Sequence, residues 1–160
     1  MPGDRKNRTL LEAGGDSRHD VPVEVSINEP IGADRDVAGG DRSLRVGTLE
    51  DIVAEKLRAY LQQKGEIRNR NRRQDLLDIA HILQTGAPLD LDSVSQYLLE
   101  KAWARDVPVS KAAFRDPGLA DCARREYDDL KATVREGFVT FEEALKSLFT
   151  LVEKLAIPAH

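Results

Sequence analysis

Thr48-Leu49-Glu50-Asp51-Ile52-Val53-Ala54-Glu55-Lys56-Leu57-Arg58-Ala59 is the stretch from which the fold can be read outward. Leu49, Ile52, Val53 and Leu57, continued by Tyr60 and Leu61, recur at helical spacing and make one apolar arc. Thr48 is a good N-cap, Asp51 stands at the third helical position to answer it, and Gly65 closes the segment. Lys56 interrupts the pattern. At about 100° per residue it falls between Ile52 and Leu49 in angle, inside the arc. An unpaired lysine buried there would lose its charge or cost several kcal/mol. Two readings follow. Either the stem packs while the ammonium reaches water, or the side chain enters a polar cleft and meets a carboxylate or a phosphate.

Downstream, Arg68-Asn69-Arg70-Asn71-Arg72-Arg73 sets four guanidiniums within six residues. It reads as a solvated loop between helices or as a phosphate-contacting segment, because Arg forks match phosphate oxygens. A second helix is expected from about Arg72 to Gln84, stopping near Gly86 and Pro88. Asp75 and Asp78 share one of its faces, with Ile82 continuing the stripe. They are half-buried partners for Lys56, or acids that merely complement the helix dipole. A third helix should follow Asp90 or Asp92, with Ser93 and Gln96 as a capping box, carrying Leu91, Val94, Leu98 and Ala102 inward and ending on a core Trp103. Asp116-Pro117 opens a fourth, whose stripe of Leu119, Ala123, Tyr127, Leu130 and Val134 runs to Gly137. Thr140 and Glu143 box the last helix, where Phe141, Leu145, Leu148, Phe149, Val152 and Leu155 repeat until Pro158.

Upstream, Val21-Pro22-Val23-Glu24-Val25-Ser26-Ile27 alternates strictly, as a strand with one buried face does. Pro22 suits a sheet edge. Glu24 stands on the polar face, which is either the solvated side or the wall of a cleft. Residues 28–42, rich in Gly and Asp, read as a loop, and Ser43-Leu44-Arg45-Val46 as a second short strand. Residues 1–20 are a polar, poorly ordered appendage. The expected fold is α+β and predominantly helical: residues 21–86 carry one or two strands with the Lys56 and Asp75 segments, and residues 87–160 form a helical bundle.

Composition excludes several classes. The chain has 160 residues, enough for one domain, with 41% hydrophobic and 32% charged residues. A net charge of −4 argues against nonspecific coating of nucleic acid, though it leaves room for a local basic patch. The lone Cys122 makes no internal disulfide, which suits a reducing cytoplasm, and no apolar run is long enough to span a membrane. His19, His81 and His160 have no metal-ligand spacing among themselves or with Cys122. Gly39-Gly40 is too little to be a phosphate loop. No serine or cysteine nucleophile motif is present.

The segments Thr48–Ala59 and Arg72-Arg73-Gln74-Asp75-Leu76-Leu77-Asp78-Ile79 resemble the lysine-bearing and acid-bearing motifs of AbiEii/AbiGii-type nucleotidyltransferase toxins. Val23–Ile27 is similar to the acid-carrying strand of their palm, and Phe141–Leu145 fits their C-terminal bundle. The likeness spans most of residues 21–156 and is to the C-terminal part of such an enzyme. It implies transfer of a nucleotidyl group from a nucleoside triphosphate with magnesium, no tightly bound cofactor, and a toxin or phage-defence role. In that role the partners are an antitoxin, or a second chain completing the palm, and tRNA or another RNA. By position Lys56 would contact phosphate, with Arg72 and Arg73 beside it. Asp75 would orient that phosphate or help activate the acceptor, and Glu24 and Asp78 would be supporting carboxylates. The family's Gly-Ser and paired Asp-x-Asp motifs have no equivalent before Val21, and Gly14-Gly15-Asp16 is no substitute. The expectation is a chain that does not transfer nucleotides by itself. A noncatalytic helical module that binds a protein or RNA is the alternative.

Overall fold

The Thr48 hydroxyl accepts the backbone N–H of Asp51 at 3.3 Å and starts α1, Leu49–Leu61, which tightens into a 3-10 turn over Gln62–Lys64. These coordinates come from a computed structural model, which describes residues 30–39, 42–64, 72–134 and 137–160. Val53, Ala54, Leu57 and Tyr60 on α1 are sealed from solvent. Ile52, at the edge of the arc, is 40% exposed, so the arc is narrower than its sequence suggests.

The expected second helix forms as α2, Arg73–Gln84, and buries Leu76, Leu77, Ile79 and Ala80. Gly86, just past its C-cap, has φ of 66°, the left-handed geometry that glycine adopts without steric cost. Asp90 caps α3, Leu91–Trp103, by accepting the Asp92 N–H at 3.1 Å. The box expected from Ser93 and Gln96 does not form: Ser93 donates to Asp90 at 2.7 Å and Gln96 reaches on to Glu100 at 2.9 Å. A short α4, Lys111–Phe114, starts at Ser110 and was not anticipated. Pro117 opens α5, Pro117–Arg124, behind Asp116. Thr140 and Glu143 box α6, Phe141–Lys154, as expected.

Two helical expectations need correction. The fourth helix does not run to Val134: it ends at Arg124, Glu126 turns left-handed at φ 57°, and a 3-10 turn covers Tyr127–Ala132. Leu119, Ala123, Tyr127 and Leu130 are buried all the same and Val134 partly so, because Tyr127 is held by its long-range contacts. Its hydroxyl donates to the Val139 carbonyl at 3.2 Å, and its ring meets Phe141 edge-on at 5.4 Å. Trp103 is not a core residue. It is 86% exposed, since it lies well round the helix from Val94, Leu98 and Ala102, which face inward.

Residues 34–39 are not loop either. β1, Asp34–Gly39, pairs antiparallel with β2, Arg42–Gly47, in a register that sets Asp34 against Gly47 and Val37 against Leu44. Val37 and Leu44 are themselves exposed, so β1 shows none of the apolar alternation that marks a half-buried strand. The signal it does carry is the two-residue gap between Gly39 and Arg42, the spacing of a tight hairpin. Val21–Ile27, Glu24 and Gly65 lie outside the described residues. One core joins the helices, with α3 packed on α1 and α6 on α2. The chain is α+β and predominantly helical, with six α-helices and one hairpin among the described residues.

Candidate functional site

Lys56 leaves the rim of the α1 arc and turns toward α2. Its Nζ donates to Asp78 Oδ2 at 2.6 Å and to Asp75 Oδ1 at 3.1 Å. The side chains are 20%, 31% and 17% exposed, in the order Lys56, Asp78, Asp75, so the cluster is half-open. The remaining oxygens are also engaged: Arg72 Nη1 stands 3.4 Å from Asp75 Oδ2, and Gln74 donates to Asp78 Oδ1 at 2.9 Å. Burial by itself would lower the Lys56 pKa. The hydrogen bonds and charges of Asp78 and Asp75 outweigh it and hold the ammonium above its ordinary value. The lysine is charged, aimed and partly desolvated.

The cluster forms one end of a cleft of about 310 Å³ lined by Asp51, Ile52, Glu55, Lys56, Ala59, Arg72 and Asp75. A larger groove of about 390 Å³ runs along α6, but chemically it is poorer. Its Arg115 is tied to Glu153 at 2.7 Å and lies over the Phe149 ring, and it faces open solvent.

Not every expected residue reaches the cleft. Arg73, next to Arg72, points the other way and fastens α2 to the chain after α5, through the Glu126 carboxylate at 2.7 Å and the Glu126 carbonyl at 2.8 Å. Glu24 and residues 68–71 lie outside the described residues. Asp34 and Asp36 spell Asp-x-Asp within β1, yet Asp34 is bound to Arg45 at 2.6 Å and neither lines the cleft.

Asp51 and Glu55, on the same wall, are held from behind by residues that sequence reasoning passed over. Asp51 does not answer the Thr48 cap with its side chain. Its Oδ1 instead accepts from Lys101 Nζ at 2.9 Å and from the Gly32 N–H at 2.6 Å. Lys101, 5% exposed, also donates to the Pro30 carbonyl at 2.7 Å. Gly32 fits only because it lacks a side chain: a Cβ there would stand 2.5 Å from the Tyr97 ring. Glu55 grips Arg58, 5% exposed, in a two-pronged pair whose Nε–Oε2 arm is 3.0 Å. Lys101 was detectable, since it falls on the Val94–Leu98 stripe as Lys56 falls on its own.

Among the described residues no three Asp, Glu, His or Cys side chains converge as the ligands of one ion would. Each carboxylate of the cleft already holds a cation. These residues do not fit a magnesium ion.

A family model described as "Nucleotidyl transferase AbiEii toxin, Type IV TA system" matches residues 2–147. The chain belongs to this family. No curated protein and no solved structure matches it. The AbiEii family is one of toxin–antitoxin toxins, so an antitoxin is part of its setting. No helix of the described residues is long and apolar enough to cross a membrane.

Proposed function

We propose that this AbiEii-family chain is a cytoplasmic toxin or phage-defence protein that binds a nucleoside triphosphate at the Lys56 cleft and does not transfer nucleotides by itself. Lys56 takes a phosphate oxygen, Arg72 adds a second cation, and Asp75 keeps both aimed and orients the phosphate or helps activate the acceptor. Asp78 and Glu24 are supporting carboxylates. Arg73, engaged by Glu126, is given no phosphate role. The single observation that carries this reading is the half-open ion cluster. A lysine held at 2.6 and 3.1 Å by two aspartates is preorganised, and its partial exposure lets an incoming anion exchange with one of them. Magnesium, which such transfer uses, would draw on ligands beyond the described residues, from this chain or from a second chain that completes the palm. The acceptor we propose is tRNA or another RNA.

Incubation of the chain with each radiolabelled nucleoside triphosphate and magnesium tests the reading. Binding without incorporation is expected, and Lys56→Ala should abolish the binding. Robust incorporation would overturn the inactivity, and unchanged affinity in Lys56→Ala would overturn the phosphate role. A second reading, a noncatalytic module that binds RNA or a protein, is favoured by the pairing of every cleft carboxylate. It predicts no triphosphate binding at all. RNA as its ligand would show as steeply salt-dependent affinity, a protein partner as salt-independent affinity.

A further inference from the structure

The cleft lining has more acids than bases. Asp51, Glu55 and Asp75 face Lys56 and Arg72, and Asp78 adds a fourth carboxylate behind Lys56. Taken alone, that wall would repel a polyanion and attract a cation. Two further charges cancel that excess. Lys101, from α3, neutralises Asp51, and Arg58, from the inner side of α1, neutralises Glu55; each is only 5% exposed and neither lines the cleft. With them, four acids face four bases.

We infer that Arg58 and Lys101 are buried counter-charges that decide whether the cleft accepts an anion or a cation. The inference rests on the triphosphate reading for its ligand but not for its electrostatics. Neither residue touches what enters the cleft. Both are positioning residues, acting through the carboxylates they hold. At the distances of a small cleft and the intermediate dielectric of a half-buried site, one uncancelled carboxylate is enough to shift anion affinity by roughly tenfold. Asp51 is the sharper case. Its Oδ1 is held by Lys101 and the Gly32 amide, so removing the lysine leaves a formal negative charge fixed at the wall.

The test uses the full chain and two probes, ATP in the presence of a chelator and Mn2+ without nucleotide. Lys101→Met keeps the apolar stem and removes the charge. It should weaken ATP binding by roughly tenfold, read by calorimetry, and raise the weak electrostatic attraction of Mn2+ to the wall by a similar factor, read by paramagnetic resonance. Adding Asp51→Asn should return both affinities to within about twofold of the parent, a rescue that a purely structural role of Lys101 would not give. No change in either probe, or no rescue, overturns the inference. Should Lys101→Met fail to fold, Arg58→Met with and without Glu55→Gln applies the same test to the other pair. If the parent binds ATP neither with the chelator nor with magnesium, the triphosphate reading falls. The Mn2+ arm then decides alone: a gain reversed by Asp51→Asn supports the inference, and no gain overturns it.

Discussion

Two lysines of this chain make the same departure from pattern and come to different ends. Lys56 on α1 and Lys101 on α3 each occupy a position in an apolar stripe, and each is met by aspartate. Lys101 is sealed, 6% exposed at its side chain against 13% for Asp51, and it also ties down the Pro30 carbonyl. Lys56 is at the lip of a cleft, 20% exposed, with two carboxylates to choose between. Depth of burial separates the roles. A sealed pair cannot exchange partners without leaving a charge in the core, so it fixes structure and field. A half-open pair can trade a carboxylate for a ligand.

The comparison breaks most visibly at Lys101. Lys101→Met leaves Asp51 charged and largely buried, and should cost about 3–5 kcal/mol in urea denaturation, as loss of one partner of a buried pair does. Most of that should return with Asp51→Asn. A loss below about 1 kcal/mol would mean the pair is solvated, like a surface bridge.

Lys56 should show a smaller and pH-dependent effect. Its pKa is raised in the folded state above the ordinary 10.5, so its stabilisation is complete below that value and fades as pH rises through the folded pKa. Tyr127, pushed up to about 12 mainly by burial, also loses stability in the alkaline range. The contrast between parent and Lys56→Met isolates the lysine. Urea midpoints measured from pH 8 to 12 should converge at the alkaline end, and a constant gap would count against the ion cluster.

The smallest effect sharpens the contrast from the apolar side. Tyr60 lies one helical turn beyond Lys56 on α1, and its hydroxyl is buried without a hydrogen-bond partner among the described residues. Its pKa is driven up, chiefly by burial. Tyr60→Phe should leave the melting temperature unchanged or raise it, by up to about 1 kcal/mol of added stability. A clear loss would reveal a partner for the hydroxyl.

Where the sequence could be read, the physics was local. Thr48, Asp90, Asp116 and Thr140 cap helices because hydroxyl or carboxylate oxygens meet N–H groups two or three residues away. The α6 stripe and the place of Lys56 inside the α1 arc follow from helical spacing alone. The left-handed turn at Glu126 and the outward Arg73 were not legible, because nothing within a few residues of each dictates them, while β1 and the solvent-facing Trp103 left only weak local traces in a hairpin gap and a helical angle.

The sequence by itself determined that this is a mainly helical chain with a lysine set inside an apolar arc at position 56, since periodicity and caps act over one or two turns. Only the tertiary structure decided which acids meet that cation, and that Lys101 and Arg58 stand behind the wall. Those pairings depend on where α2 and α3 dock against α1, and docking is set by the shared core, with Leu57, Leu76 and Leu98 sealed within it.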